Sequence, residues 1–199
     1  MTTFVAGFFL SLSFILAIGS QNAFVLKQGI RKQHVLLVCT ICAVSDAILI
    51  SLGVAGFGAI VQDYPSIELY ARYGGALFLL VYAALSFKSA FSQSHSLKPE
   101  AETASSTLHI IAIGLAFTWL NPHVYLDTLV LLGSISTQYK GEQFEFGLGA
   151  ISASFIFFFS LGYGARLLAP VFQKPKAWQV LEIVVGLTML VIALTLLFA

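Results

Sequence analysis

Two carboxylates stand where charge is expensive. Asp46 is the only charged residue in the apolar run 35–61, and Asp127 is the only acid in the apolar run 108–132. A carboxylate at the centre of a membrane helix costs about 2.5–3.5 kcal/mol on insertion scales, so it faces protein or a water-filled cavity. Burial raises a carboxyl pKa and a nearby cation lowers it, so such a group can exchange a proton for a positively charged cargo. Asp46 and Asp127 are therefore the candidate ligands of a cation or carriers of a proton. The competing reading makes each the structural partner of Arg166, Lys27 or a helix terminus.

Polar residues gather at two places where a membrane helix should break. One is Gly19-Ser20-Gln21-Asn22; the other is Asn121-Pro122, six residues ahead of Asp127. Pro122 removes a backbone donor and clashes with the carbonyl four residues back. Unwound backbone at membrane depth is tolerated only against protein or a cavity. Freed carbonyls there attract cations, and half-helix N-termini attract carboxylates. An amino acid presents both groups. Gln21, Asn22 and Asn121 can hydrogen-bond its backbone, or equally tie helices together. Tyr125 and Trp119 can stack on a cationic group or simply pack, and His123 can shuttle protons or pack beside the kink. Arg166 reads as a snorkelling anchor or an acid's partner, and Glu182 as an interfacial residue. Cys39 and Cys42, three apart, share a helix face; packing is the plain reading and thiol-redox chemistry the sharper one. No partner pair completes the four ligands of a zinc site, and no metal site is expected.

The elements that would position these groups are membrane helices. The chain of 199 residues is 58% hydrophobic and 10% charged, against about 25% charged in soluble domains, and its mean hydropathy is +0.92. It lacks the basic blocks of a nucleic-acid binder. At about 20 apolar residues per crossing, six spans are expected, at residues 3–26, 35–61, 69–91, 108–132, 144–170 and 178–198. The first lacks a basic leading region and reads as a span rather than a removable leader. The alternation of a membrane β-barrel is absent, so the fold class is all-α. Eight of the ten Lys and Arg residues fall at the odd-numbered connections, which places those connections in the cytoplasm and both termini outside. A five-span reading with one re-entrant segment would move one terminus.

An internal repeat divides the chain. Asn22-Ala23-Phe24-Val25 resembles Asn121-Pro122-His123-Val124, Gly56-Phe57-Gly58-Ala59 resembles Gly162-Tyr163-Gly164-Ala165, and Gly75 with Leu79 matches Gly186 with Leu190. Repeats of three spans must be inverted, because an odd number of crossings flips the second half. The expected organisation is one membrane domain: a first three-helix repeat at 1–91, a cytoplasmic linker at 92–107 and a second repeat at 108–199. The first and fourth helices are broken. Inverted repeats with broken helices are a transporter signature.

At Gly19-Ser20-Gln21-Asn22-Ala23-Phe24-Val25-Leu26-Lys27-Gln28-Gly29-Ile30 the chain resembles the lysine exporter (LysE) family. The stretch from Thr118 through Asn121-Pro122-His123-Val124-Tyr125-Leu126-Asp127 to Thr128 looks like the family's second hallmark. Ser45-Asp46 and Gly149-Ala150-Ile151-Ser152-Ala153-Ser154 point to the branch that exports basic amino acids. The likeness covers essentially the whole chain. One departure is Ser20, where proline is common in the family, which leaves the first break less sharply specified. The resemblance implies a multi-pass exporter of the bacterial inner membrane, driven by the proton gradient, with roles for Asp46 and Asp127.

Together these readings lead to a secondary exporter of L-arginine, with L-lysine as a further substrate, working by alternating access and without catalysis or a cofactor. Asp46 and Asp127 would bind the side-chain cation or the exchanged proton. Gln21, Asn22, Asn121 and Tyr125 would hold the rest of the substrate, and Gly19, Ser20 and Pro122 would break the helices. The expected partners are the substrate and the bilayer, with no nucleic acid; a homo-oligomer stays open. The rivals are an exporter of another small amino acid or of a divalent metal, an intramembrane thiol-redox enzyme and a passive channel.

Overall fold

A computed structural model describes residues 2–16, 19–57, 65–91 and 106–198. Every element among them is helical. α1 (Thr2–Ile15) and α2 (Ser20–Arg31) meet at a bend of 82°. α3 (Val35–Leu52) ends in a π turn, Gly53–Phe57, and α4 spans Pro65–Phe91. α5 (Thr107–Trp119) is followed by α6 (Pro122–Tyr125), a π segment Leu126–Leu132 and α7 (Gly133–Ser136). α8 (Gln143–Gly164), two 3-10 turns and α9 (Pro175–Phe198) complete the chain.

Four stretches are long and apolar enough to cross a bilayer unbroken: Val35–Gly56, Arg72–Phe91, Gln143–Leu168 and Pro175–Phe198. The bent pair α1–α2 forms a fifth. α5 has 13 residues, about 20 Å at 1.5 Å per residue, and is too short to cross alone; the chain continues past a break into α6 and α7. Of the six expected segments, four are unbroken spans, the bent pair is a fifth, and the stretch beginning at α5 is a shorter apolar helix followed by a break. The first break falls slightly earlier than the polar cluster suggested. Gly19 is the extended N-cap of α2, so Ser20, Gln21 and Asn22 form its first turn. The second break follows the same grammar. Asn121 is the extended N-cap and Pro122 is the first helical residue, where its missing N–H has no helical partner to lose. Ser20 is the first helical residue of α2 as Pro122 is of α6, so the first helix breaks there without proline.

The two halves repeat one order: a broken helix, then two long ones. Their packing exchanges accordingly. α1 lies on α8 while α5 lies on α3; α3 packs with α8, and α4 with α9. Small residues allow these approaches, as expected where lipid offers helices no hydrophobic drive to associate. A Cβ on Gly7 would run into the Phe146 carbonyl, and one on Gly149 into the Phe4 carbonyl. Gly53 and Gly133 likewise bring the end of α3 onto the segment after the second break. Gly56 and Gly164 have nothing within 4 Å of a Cβ. Gly56 instead takes a φ of +94° inside the π turn, a conformation glycine adopts without steric cost. Gly58, Ala59 and residues 92–105 of the expected linker lie outside the described residues.

Glu182 corrects the sequence reading. It is not interfacial but fully buried, paired with Lys27 at 2.8 Å and with Arg31 at 3.9 Å. Lys27 and Arg31 are four apart on α2 and so share a face, which lies against α9. Lys27 is therefore engaged 155 residues away in sequence rather than with either aspartate.

Candidate functional site

α1, α2, α3 and the segment after the second break enclose a cavity of about 310 Å³. Five of the six residues expected to bind substrate or proton line it: Asp46, Asp127, Asn121, Asn22 and Gln21. Gly19 and His123 also face it. Residues scattered over more than a hundred positions converge because each break turns its second half-helix inward, while α3 passes beside both.

Asp46 sits on α3 and is buried. The Ser154 hydroxyl of α8 donates to its Oδ2 at 2.9 Å, while Oδ1 has no hydrogen-bond partner in the protein. The Gln21 amide lies beside the same carboxylate, yet its Nε2 makes no hydrogen bond. Buried polar atoms whose hydrogen bonding is incomplete are costly, at about 1–3 kcal/mol each. Asp127 lies in the π segment, half-buried, with the exposed His123 one turn before it within electrostatic reach. Among the described residues neither aspartate forms an ion pair with lysine or arginine; the ion pairs there are those of Glu182. Arg166 instead lies 4.3 Å over the Tyr163 ring. No described lysine or arginine lines the cavity, whose described wall carries two acids.

The asparagines have structural duties as well. Asn22 Nδ2 donates to the Ile15 carbonyl at 2.7 Å, clamping the end of α1 to α2. Asn121 Oδ1 accepts the His123 N–H at 3.2 Å as the N-cap of α6. Tyr125 does not line the cavity. Its hydroxyl donates to the Trp119 carbonyl at 2.6 Å, and Trp119 Nε1 donates to Ser45 Oγ at 3.3 Å. These two aromatics tie the second break to α3 beside Asp46 and do not stack on the site. Ser20 and Pro122 set the two breaks without facing the cavity.

Sequence reasoning names Ser154 only as the end of the run 149–154 and gives it no role. A serine in an apolar run carries no mark of its partner; only the packing of α8 on α3 brings it to Asp46. Of the other cavity walls that went unseen, Ser11 is polar and fully buried, while Phe158 and Ile192 are apolar; nothing in an apolar run marks such residues.

Cys39 and Cys42 are buried free thiols. Cys39 Sγ donates to the Phe158 carbonyl at 3.2 Å and packs on Gly162, the behaviour of small residues between helices. Among the described residues no three His, Cys, Asp or Glu side chains gather as a metal site.

The profile of the LysE type translocator family matches residues 12–199. The arginine exporter protein ArgO of Salmonella enteritidis is 44% identical over 191 residues, covering 96% of this chain and 90% of that protein. ArgO of Serratia proteamaculans is 42% identical over 197 residues, covering 98% and 96%. A provisionally named amino-acid transporter of Mycobacterium tuberculosis is 42% identical over 181 residues, covering 91% and 90%. No solved structure matches.

Proposed function

The chain belongs to the LysE type translocator family, an amino-acid exporter of the bacterial inner membrane, and on that premise we propose that its cargo is L-arginine, with L-lysine accepted by the same chemistry. The observation that carries this reading is the cavity wall, where Asp46 and Asp127 face one space with no described lysine or arginine to neutralise them. A guanidinium or ammonium group supplies the missing charge. Two relatives that share over two-fifths of their residues with this chain bear the name of arginine exporter, in agreement with that wall.

In this reading Asp46 and Asp127 share the side-chain cation and the exchanged proton. Asp46 holds the deeper position, oriented by Ser154, and Asp127 the more accessible one. The Gln21 amide is placed to hydrogen-bond the cargo. The N-terminus of α2, whose cap Gly19 is on the wall, favours the α-carboxylate through its unpaired N–H groups and dipole. The two halves act as inverted repeats that rock about the site to expose it alternately to either side. The protein is a transporter and not an enzyme, and the proton gradient replaces any cofactor. A divalent metal fits less well, since a hard cation such as Ca²⁺ wants six to eight oxygen ligands.

The test is arginine efflux from loaded proteoliposomes. Efflux should rise when the receiving side is made acidic and collapse with a protonophore. An Asp46→Ala, Asp127→Ala double variant that exports arginine at the wild-type rate would remove both acids from the mechanism.

A further inference from the structure

A second cavity, of about 300 Å³, lies between α2, α4 and α5. Its polar wall is Lys27, Gln28 and Arg31 of α2, Ser86 of α4 and His109 of α5. Phe24 also lines it. Phe24 is fully buried, and its ring stacks into Phe117, which also meets Phe78 and Tyr82. Along α2 this aromatic cluster stands between Gln21 and Asn22, which face the first cavity, and Lys27 and Arg31, which face the second.

The charge of the second cavity is opposite to that of the first. No described acid lines it. Lys27 and Arg31 both meet the carboxylate of Glu182, Lys27 closely at 2.8 Å and Arg31 only at 3.9 Å, so Arg31 is held loosely. Arg31 Nε is buried without a hydrogen-bond partner, and so is the hydroxyl of Ser86, a residue only 2% exposed. Two unsatisfied donors, one of them a guanidinium nitrogen, are the chemistry of a phosphate or carboxylate site.

The rim points to the source of that anion. Val81 and Leu85 of α4 line the cavity yet are 53% and 58% exposed. On a membrane span such apolar surface meets acyl chains, so the cavity opens sideways onto lipid. Its depth agrees: Arg31 ends α2, Ser86 is in the last two turns of α4, and His109 is in the first turn of α5. That end of the bundle carries the excess of basic residues and is the side where anionic headgroups attract them.

We propose that this cavity is a binding site for the phosphate headgroup of an anionic phospholipid. The phosphodiester rests on Arg31, Ser86 and His109, and an acyl chain runs along Val81 and Leu85. The site is separate from the one that takes the cargo, and binding is read without transport, so failure here leaves the export reading standing.

The test is thermal unfolding of the purified full chain in a neutral detergent, titrated with dioctanoyl phosphatidylglycerol, with phosphatidylcholine of the same chain length, and with inorganic phosphate. Only the phosphatidylglycerol should raise the midpoint. Arg31→Gln should weaken its apparent affinity about fivefold, the worth of one basic side chain at an anionic surface, and Arg31→Lys should recover most of that loss. Should Arg31→Gln not fold, His109→Gln, on an exposed residue, provides the same comparison. Phosphatidylcholine acting equally would show that acyl chains alone are bound, and inorganic phosphate acting equally would show an aqueous anion site; either overturns the proposal. It is also overturned if Arg31→Gln and His109→Gln both bind phosphatidylglycerol as the wild type does.

Discussion

Replacing Asp46 with asparagine isolates its charge. The two side chains have nearly the same shape, and the amide oxygen of the replacement still offers an acceptor to the Ser154 hydroxyl that now lies 2.9 Å from Oδ2. The fold should therefore persist, with an unfolding midpoint close to wild type. What disappears is attraction for the cargo. Two unit charges 4 Å apart attract by about 4 kcal/mol at an effective dielectric of 20. The carboxylate sheds hydration when it binds, so a smaller net figure is expected, about 1.5–3 kcal/mol for a hydrogen bond to a charged group. By the same principle that corresponds to a rise of about 10- to 150-fold in the arginine concentration needed for half-maximal efflux. The assay is labelled arginine efflux from proteoliposomes, run beside L-citrulline, which has nearly the shape of arginine and no side-chain charge. Wild type should prefer arginine strongly, and Asp46→Asn should lose most of that preference. A variant that keeps both its arginine affinity and its discrimination against citrulline would show that Asp46 does not meet the cationic group.

Other substitutions probe the scaffold. Glu182→Gln removes the buried carboxylate that Lys27 and Arg31 both meet and should cost about 3–5 kcal/mol, read as a large fall in unfolding midpoint and yield. The double variant Lys27→Met, Glu182→Leu should regain much of that stability, because removing both charges leaves neither of the pair buried alone. Gly149→Leu drives a side chain into the Phe4 backbone where α1 lies on α8 and should prevent folding, whereas Gly164→Ala, with open space around it, should leave stability within about 0.5 kcal/mol of wild type. Cys39→Ala with Cys42→Ala should leave efflux close to the wild-type rate, since both are buried free thiols and neither lines the cavity; loss of all transport would revive a redox role.

Much of this architecture is written locally. Hydropathy marks a crossing because a bilayer has one thickness, and the grammar of a break, an extended polar residue followed by a first helical residue, is contained in Asn121-Pro122 and Gly19-Ser20. Asp46 and Asp127 could be picked out as site residues because an acid in an apolar run is conspicuous whatever it touches. Tyr125 could not be placed the same way. An aromatic four residues past a break is equally suited to the cavity or to the last carbonyl of α5, and only the turn of the backbone there assigned it to Trp119.

The sequence by itself determined that the chain lives in a membrane, that it is helical, where its helices break, and which charges are out of place. Only the tertiary structure decided what those charges face. These helices are apolar almost all round, so they carry no amphipathic stripe to say which side looks inward. That choice rests on side-chain fit between segments more than a hundred residues apart. It set Ser154 on Asp46, drew Lys27 to Glu182, and left two aspartates facing one cavity without a described lysine or arginine on its wall.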